Sequence, residues 1–133
     1  MLNSQKFGIE LYENLGKLFY AMASVDGSVH TKEVDHLRSY LRSYWLDIDV
    51  IEDEYGTDAA FRIETTFDRC LEYEEKANDC FNYFKDFYLE HVKLFTPDVK
   101  RLTIDTANAM ANAYAGKNKS ELILLSKIEI LFR

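Results

Sequence analysis

Turn-forming residues are scarce in this chain of 133 residues, which has one proline and five glycines. An all-β fold needs a turn at about every 8–12 residues, and proline and glycine supply many of those turns. The scarcity excludes most all-β architectures and favours helices. Apolar residues make up 47% of the chain, with nine Phe and nine Tyr, which suffices for the core of one domain. We therefore predict a single all-α domain over residues 1–133, a bundle of about six or seven helices.

A long hydrophobic run is also lacking. No stretch of about 18 consecutive apolar residues occurs, so the sequence predicts no membrane span. The first residues include Glu10 and Glu13 and lack the continuous apolar segment of a secretory signal. We expect a cytoplasmic protein.

Cysteine is represented only by Cys70 and Cys80. On one continuous helix these residues would lie about 15 Å apart, too far for a disulfide. We expect both to be reduced residues of the core, as is usual in the cytoplasm.

Basic residues are outnumbered, with 16 Lys and Arg against 23 Asp and Glu and a net charge of -7. The segment Asp47–Asp79 holds twelve acidic and three basic residues, a local charge of -9. It would repel a phosphate backbone, so no nucleic-acid partner is expected. A cation or a basic protein surface fits it better. The alternative is a solvated acidic face that only keeps the protein in solution.

Apolar residues recur every three or four positions from Ser4 to Ser24 and predict the first helix. Asp26-Gly27 ends it, because Gly27 can adopt a positive φ, and a second helix starts near residues 30–31. Residues 46–60 lose the helical pattern and predict an acidic connector.

A third apolar register runs from Ile63 to Phe95. One straight helix of that length would measure about 50 Å, longer than a domain of this size is wide, so we predict a break between Tyr73 and Asp79. Thr96-Pro97-Asp98 is typical of a helix start, with a Thr N-cap and a proline in the first turn. The alanines that follow, from Ala107 to Ala115, predict a thin helix at the centre of the bundle.

Two segments share a pattern: Leu18–Leu41 and Ala107–Phe132 each contain a small-residue helix end, a glycine turn and a new amphipathic helix. Aligning Glu33 with Glu121 also pairs other like residues: Ala23 with Ala111, Leu37 with Leu125 and, after a one-residue shift, Gly27 with Gly116. The chain therefore has the pattern of a duplicated helix-turn-helix unit in which Gly27 and Gly116 form the turns.

The segment SVDGSVHTKEVDHL, the later FYLEHVKLFTPDVKRLTIDTANAMANAYAGKNKSEL and this duplication together resemble the tellurite-resistance TerB-like family. That family includes the N-terminal region of a membrane-anchored J-domain co-chaperone. Its motif is a small-residue helix followed by D-G-x-[VI]-x-x-x-E, and the resemblance covers nearly all of the chain except the acidic connector. It implies a helical bundle of two related halves, a cytoplasmic role in stress or metal-ion response, and function through association. In that family, acidic residues at this motif have been proposed as a cation site.

Asp26 and Glu33 flank one turn, so their carboxylates could converge. Such hard oxygen ligands suit a divalent cation, Ca, Mg or Mn. The structural alternative is that Asp26 accepts hydrogen bonds from the turn while Glu33 favours the helix N-terminus electrostatically. Two carboxylates are fewer than the six or more oxygens that calcium takes, which favours the structural alternative. In the second copy only Gly116 and Glu121 match.

No motif predicts catalysis. Glu33 and His36 have the Glu-x-x-His spacing of di-iron proteins, but the second copy has Leu124 where a histidine is needed. The chain contains no G-x-S-x-G, no cysteine–histidine motif and no phosphate-binding glycine loop. We expect a protein that is not an enzyme. No cofactor is certain, and a divalent cation is the candidate.

Aromatic residues between Phe81 and Phe95 cover too many helical directions for one core stripe. Complete burial is one interpretation, and an exposed interface is the other. We predict that exposed aromatic and acidic residues form an interaction surface for a protein partner or a second copy: Tyr83, Phe87, Glu52, Asp53 and Glu54. The predicted function is a non-enzymatic cytoplasmic interaction module, and the alternative is a divalent-cation binder using Asp26 and Glu33.

Overall fold

The computed structural model describes residues 2–45, 58–112 and 119–133, with side chains described from residue 8 in the first helix and from residue 60 in the third. These residues form an all-α bundle, as predicted, and include no β-strand. The six helices are α1 (Leu2–Ser24), α2 (Thr31–Tyr40), α3 (Asp58–Glu72), α4 (Ala77–Glu90), α5 (Pro97–Ala111) and α6 (Lys119–Leu131). One π-helical turn, Leu41–Trp45, extends α2, and a 3-10 turn, Val92–Leu94, separates α4 from α5.

The predicted connector, residues 46–60, extends too far towards the C-terminus, because α3 already begins at Asp58. Its other residues, 46–57, lie outside the described part of the chain, and Glu52, Asp53 and Glu54 are among them. Gly116 is likewise outside it. The predictions on these four residues therefore stay predictions.

The first helix, α1, is the centre of the bundle, since it packs against each of the other five helices. Fully buried side chains occupy several of its faces: Leu11, Leu15, Leu18, Phe19, Ala21 and Met22. A helix that is apolar on most of its circumference must be enclosed by others. The prediction that the alanine-rich helix is central is therefore wrong. That helix, α5, keeps a polar outer face with Asp98, Arg101 and Asp105 exposed.

Gly16 allows α1 and α3 to approach closely. A Cβ atom at this position would lie 2.7 Å from the carbonyl oxygen of Ile63 and 2.7 Å from Cβ of Thr66. Real Cβ atoms do not approach other atoms that closely, so only glycine fits without movement of the helices.

The predicted break between Tyr73 and Asp79 is confirmed, because α3 ends at Glu72 and α4 begins at Ala77. Glu74 has a φ of 50° in the turn. Its backbone N–H donates to Leu71 O and that of Glu75 donates to Cys70 O, which together form a Schellman motif. A glutamate occupies the left-handed position where glycine is usual, so the turn is closed by its hydrogen bonds and not by glycine.

The start of α5 agrees with the helix start predicted at Thr96-Pro97-Asp98. Thr96 has an extended backbone, and its Oγ1 accepts a hydrogen bond of 3.2 Å from Val99 N, with Pro97 as the first helical residue. Behind this helix, the Trp45 indole N–H donates to Thr106 Oγ1 at 2.9 Å, which ties the π-helical turn to α5.

Candidate functional site

Glu33 is the third residue of α2 and lies in its first turn. The N-cap, His30, has an extended backbone but makes no side-chain capping bond. The Glu33 carboxylate accepts a hydrogen bond from the backbone N–H of His30, which is the half of a capping box that the third residue supplies. This hydrogen bond fixes the carboxyl group beside the N-terminus of α2. Glu33 is buried there, with only 2% of its surface exposed.

Glu121, in the first turn of α6, is the other half of a buried carboxyl pair. It is 4% exposed, and its side chain is hydrogen-bonded to that of Glu33. Burial raises the pKa of Glu33 most, followed by the hydrogen bond to Glu121 and the charges of Glu121 and Asp26, to about 8. Two carboxylates in contact cannot both be ionised at low cost. Glu33 is therefore mainly protonated at neutral pH.

Asp26 lies near this carboxyl pair but has partners of its own. Its Oδ1 accepts a hydrogen bond of 3.3 Å from Ser28 N, and its Oδ2 lies 3.8 Å from His30 Nε2. These contacts are the structural role foreseen for Asp26 in the turn. In the described part of the chain, no three His, Cys, Asp or Glu residues form a group that could hold a metal ion.

Gly27 has the positive φ that its place in the turn predicted, at 99°. No atom lies within 4 Å of where its Cβ would be, so the requirement for glycine here comes from the backbone alone.

The sequence interpretation of Glu33 missed its partner. It weighed Asp26 as the second carboxylate, whereas Glu121 is the group in direct contact with Glu33. The available signal was the alignment of the two helix-turn-helix segments, which pairs Glu33 with Glu121 and which was used only as evidence for duplication.

Of the two aromatic residues predicted to be exposed, only Tyr83 is on the surface, at 58% exposure. The prediction for Phe87 is wrong, since it is 7% exposed. Its ring centroid lies 4.6 Å from that of His91 and 6.2 Å from that of Phe95. The chain turns back after α4 and lays Phe95 on a second face of that helix, which the helical register alone does not show.

Between α4 and α6 the surface forms a groove that we call the α4–α6 groove. It consists of two cavities of about 180 and 320 Å³ that share Asn78, Phe81 and Lys127. Its remaining lining residues are mostly apolar: Val25, Ala77, Ser120, Ile123, Leu124, Asn82, Lys85, Ile130 and Leu131. Lys85 and Lys127 are the charged residues in this lining, and Lys127 Nζ lies 5.9 Å from the centroid of the Phe81 ring.

Comparisons with family models, with curated proteins and with solved structures gave no match for this chain. In the part of the chain that the structure describes, none of the helices combines the length and the apolar character needed to cross a membrane.

Proposed function

We propose that the protein is a non-enzymatic, cytoplasmic interaction module whose α4–α6 groove binds an amphipathic helix of a partner protein, with acidic residues beside its apolar face. The carrying observation is the groove itself, where Ile123 and Ile130 are exposed at 48% and 60% on a surface that also carries lysines. The sequence resemblance to tellurite-resistance TerB-like proteins supports this proposal and suggests a stress-response setting.

The spacing of the groove residues supports a helical ligand. Ile123, Lys127 and Ile130 follow one another by four and three residues along α6, and so lie on one face over about two turns. Phe81 and Lys85 have the same spacing along α4. A helix placed between them would present its own side chains at matching intervals, as in other helix-in-groove complexes.

The charge of the groove favours an acidic ligand. Lys85 and Lys127 add positive charge to a chain whose net charge is -7. Carboxylates on the partner helix would pair with these lysines while its apolar side chains cover Ile123 and Ile130. Such rim charges mainly accelerate association, and the apolar contacts slow dissociation.

The test compares groove variants with matched controls on α6 in a pull-down from the source cells. Ile123→Glu and Lys127→Glu lie in the groove, whereas Leu122→Glu and Lys119→Glu make the same changes at exposed positions outside its lining. We expect both groove variants to lose a partner that both controls retain. The captured partner's acidic helix, made as a labelled peptide, should then bind wild type with an affinity that falls as salt is added.

If Ile123→Glu and Leu122→Glu capture the partner equally well, the α4–α6 groove is not its binding site. A second copy of this chain as the occupant would also contradict it, and would be detected as a concentration-dependent dimer in sedimentation equilibrium that Ile123→Glu abolishes.

A second candidate function is divalent-cation binding by the buried carboxyl groups of Glu33 and Glu121, which are hydrogen-bonded to each other. A cation would displace the proton held by Glu33, with Asp26 adding negative charge nearby. Calcium, magnesium or manganese would then bind more tightly at higher pH, since the proton competes for the same oxygens.

We expect such a cation to raise the melting temperature more at pH 9 than at pH 6. Glu33→Gln should abolish the gain, and Asp26→Asn should reduce it. Calorimetry that detects no heat, together with no thermal shift at millimolar cation at pH 9, would eliminate this candidate while leaving the groove proposal untouched.

A further inference from the structure

Cys70 and Cys80 lie next to each other across the turn between α3 and α4. Cys70 is in the last turn of α3 and Cys80 in the first turn of α4, and both are buried and free. Their side chains are hydrogen-bonded to each other. The separation of about 15 Å on a continuous helix does not apply, because α3 ends at Glu72 and α4 begins at Ala77.

Both cysteines line a cavity of about 400 Å³ on the surface, which we call the dithiol cavity. Its other lining residues come from three helices and the turn: Lys17, Arg69, Tyr73, Glu75 and Tyr83. Lys17 Nζ lies 4.9 Å from the centroid of the Tyr83 ring, which holds this cation at the cavity wall. With Lys17 and Arg69 against Glu75, the lining carries a net positive charge.

The two thiols differ in character. The pKa of Cys70 is lowered, first by the hydrogen bond from Cys80 and also by the charges of Lys17 and Arg69, against the opposing effects of burial and Glu75. The pKa of Cys80 is raised, first by its hydrogen bond to Cys70 and then by burial. A thiolate is the nucleophile in sulfur chemistry, so the lowered pKa makes Cys70 the better nucleophile of the pair.

We propose that Cys70 and Cys80 form a thiol–disulfide exchange site that reacts with small disulfides bearing carboxylate groups. The adjacent sulfurs, the cavity that reaches them and the two cations at its wall carry this proposal. It is independent of the α4–α6 groove and of the carboxyl pair.

The reaction has two exchange steps. The Cys70 thiolate attacks one sulfur of the small disulfide, forming a mixed disulfide and releasing the other half as a thiolate. Cys80 then loses its proton and attacks the Cys70 sulfur, forming the Cys70–Cys80 bond and releasing the second half. The protein loses two protons and two electrons, and the small disulfide is reduced to two thiols.

The test treats the full chain with oxidised glutathione, whose carboxylates suit the two cations, and alkylates the remaining thiols in denaturant with N-ethylmaleimide before mass spectrometry. We expect wild type to lose two hydrogens and to take up no maleimide, with a Cys70–Cys80 cross-link in its proteolytic fragments. Cys80→Ser should stop at one glutathionyl adduct on Cys70. Cys70→Ser should react several-fold more slowly than Cys80→Ser.

The cations are tested separately by rate. Lys17→Gln should slow the exchange several-fold with oxidised glutathione and much less with uncharged hydroxyethyl disulfide. Lys93→Gln, at an exposed position outside the cavity, should change neither rate.

Several outcomes would overturn the proposal. The proposal is overturned by the wild-type protein alone if it keeps two maleimide-reactive thiols or forms only intermolecular disulfides. Equal rates for Cys70→Ser and Cys80→Ser would overturn the assignment of Cys70 as the attacking thiol.

Discussion

Glu33 shows how a position typical of the surface becomes a buried ionisable site. A glutamate in the first turn of a helix normally remains in water and gains from the helix dipole. Here burial and the contact with Glu121 outweigh the hydrogen bond from the backbone N–H of His30, which favours the ionised form. The folded protein therefore favours the protonated form of a group that is ionised in the unfolded chain above pH 4.5.

The raised pKa of Glu33 predicts that stability falls as pH rises. The full contribution is present below pH 4.5, is lost progressively towards pH 8, and is gone above it. Each pH unit in that window costs about 1.4 kcal/mol if no other group compensates. Glu33→Gln, whose amide can donate to Glu121 at any pH, should flatten this slope and raise the free energy of unfolding at pH 8.

Urea unfolding at pH 5, 6, 7 and 8 measures the slope, and Glu72→Gln on the exposed end of α3 serves as the control. A wild-type slope that survives unchanged in Glu33→Gln would show that the pKa of Glu33 is not raised in the folded protein.

At the scale of elements, the approach of α1 to α3 depends on a residue with no side chain. Gly16 lies in the interior of the central helix, where glycine is a poor choice for helix propensity. It is needed because the carbonyl of Ile63 and the side chain of Thr66 occupy the space that a Cβ would take. Packing between helices has overridden local propensity at this position.

Gly16→Ala should accordingly destabilise the protein by about 1–3 kcal/mol, because the overlap forces the two helices apart. On an open helix face the same change would stabilise by about 0.5–1 kcal/mol. Guanidinium unfolding compares it with Glu13→Ala, which alters propensity on the same helix without this overlap. A Gly16→Ala protein as stable as wild type would mean that α1 and α3 are not in close contact here.

At the scale of the whole molecule, α4 contributes residues to two separate surface cavities. Phe81 and Lys85 face the α4–α6 groove, whereas Cys80 and Tyr83 face the dithiol cavity against α1 and α3. The separation follows from helical periodicity, since adjacent residues point about 100° apart. The two functions that we propose, apolar docking and sulfur exchange, therefore use one helix without sharing a side chain.

The two helix-turn-helix segments also correspond in burial. The aligned residues are buried in both copies: Glu33 and Glu121, Ala23 and Ala111, Leu37 and Leu125. Equivalent positions thus face the same interior, and the first turns of α2 and α6 bring their glutamates into contact. Duplication itself remains a prediction from the sequence.

Local sequence determined the all-α class and most helix limits, because their causes lie within a few residues. The periodicity of α1, the positive φ of Gly27 and the Thr96 cap all require only neighbours along the chain. The break after Glu72 was also predictable, from the length of the register, although the N-cap of α4 is Lys76, which makes no side-chain capping bond.

Tertiary structure alone decided which distant side chains meet. Phe87 is buried because Phe95 returns over it, and Gly16 is required because α3 lies against α1. The pairs Glu33–Glu121 and Cys70–Cys80 exist only after helices have reversed direction and packed. Periodicity specifies which face of a helix is apolar, but only the packed bundle determines what that face touches.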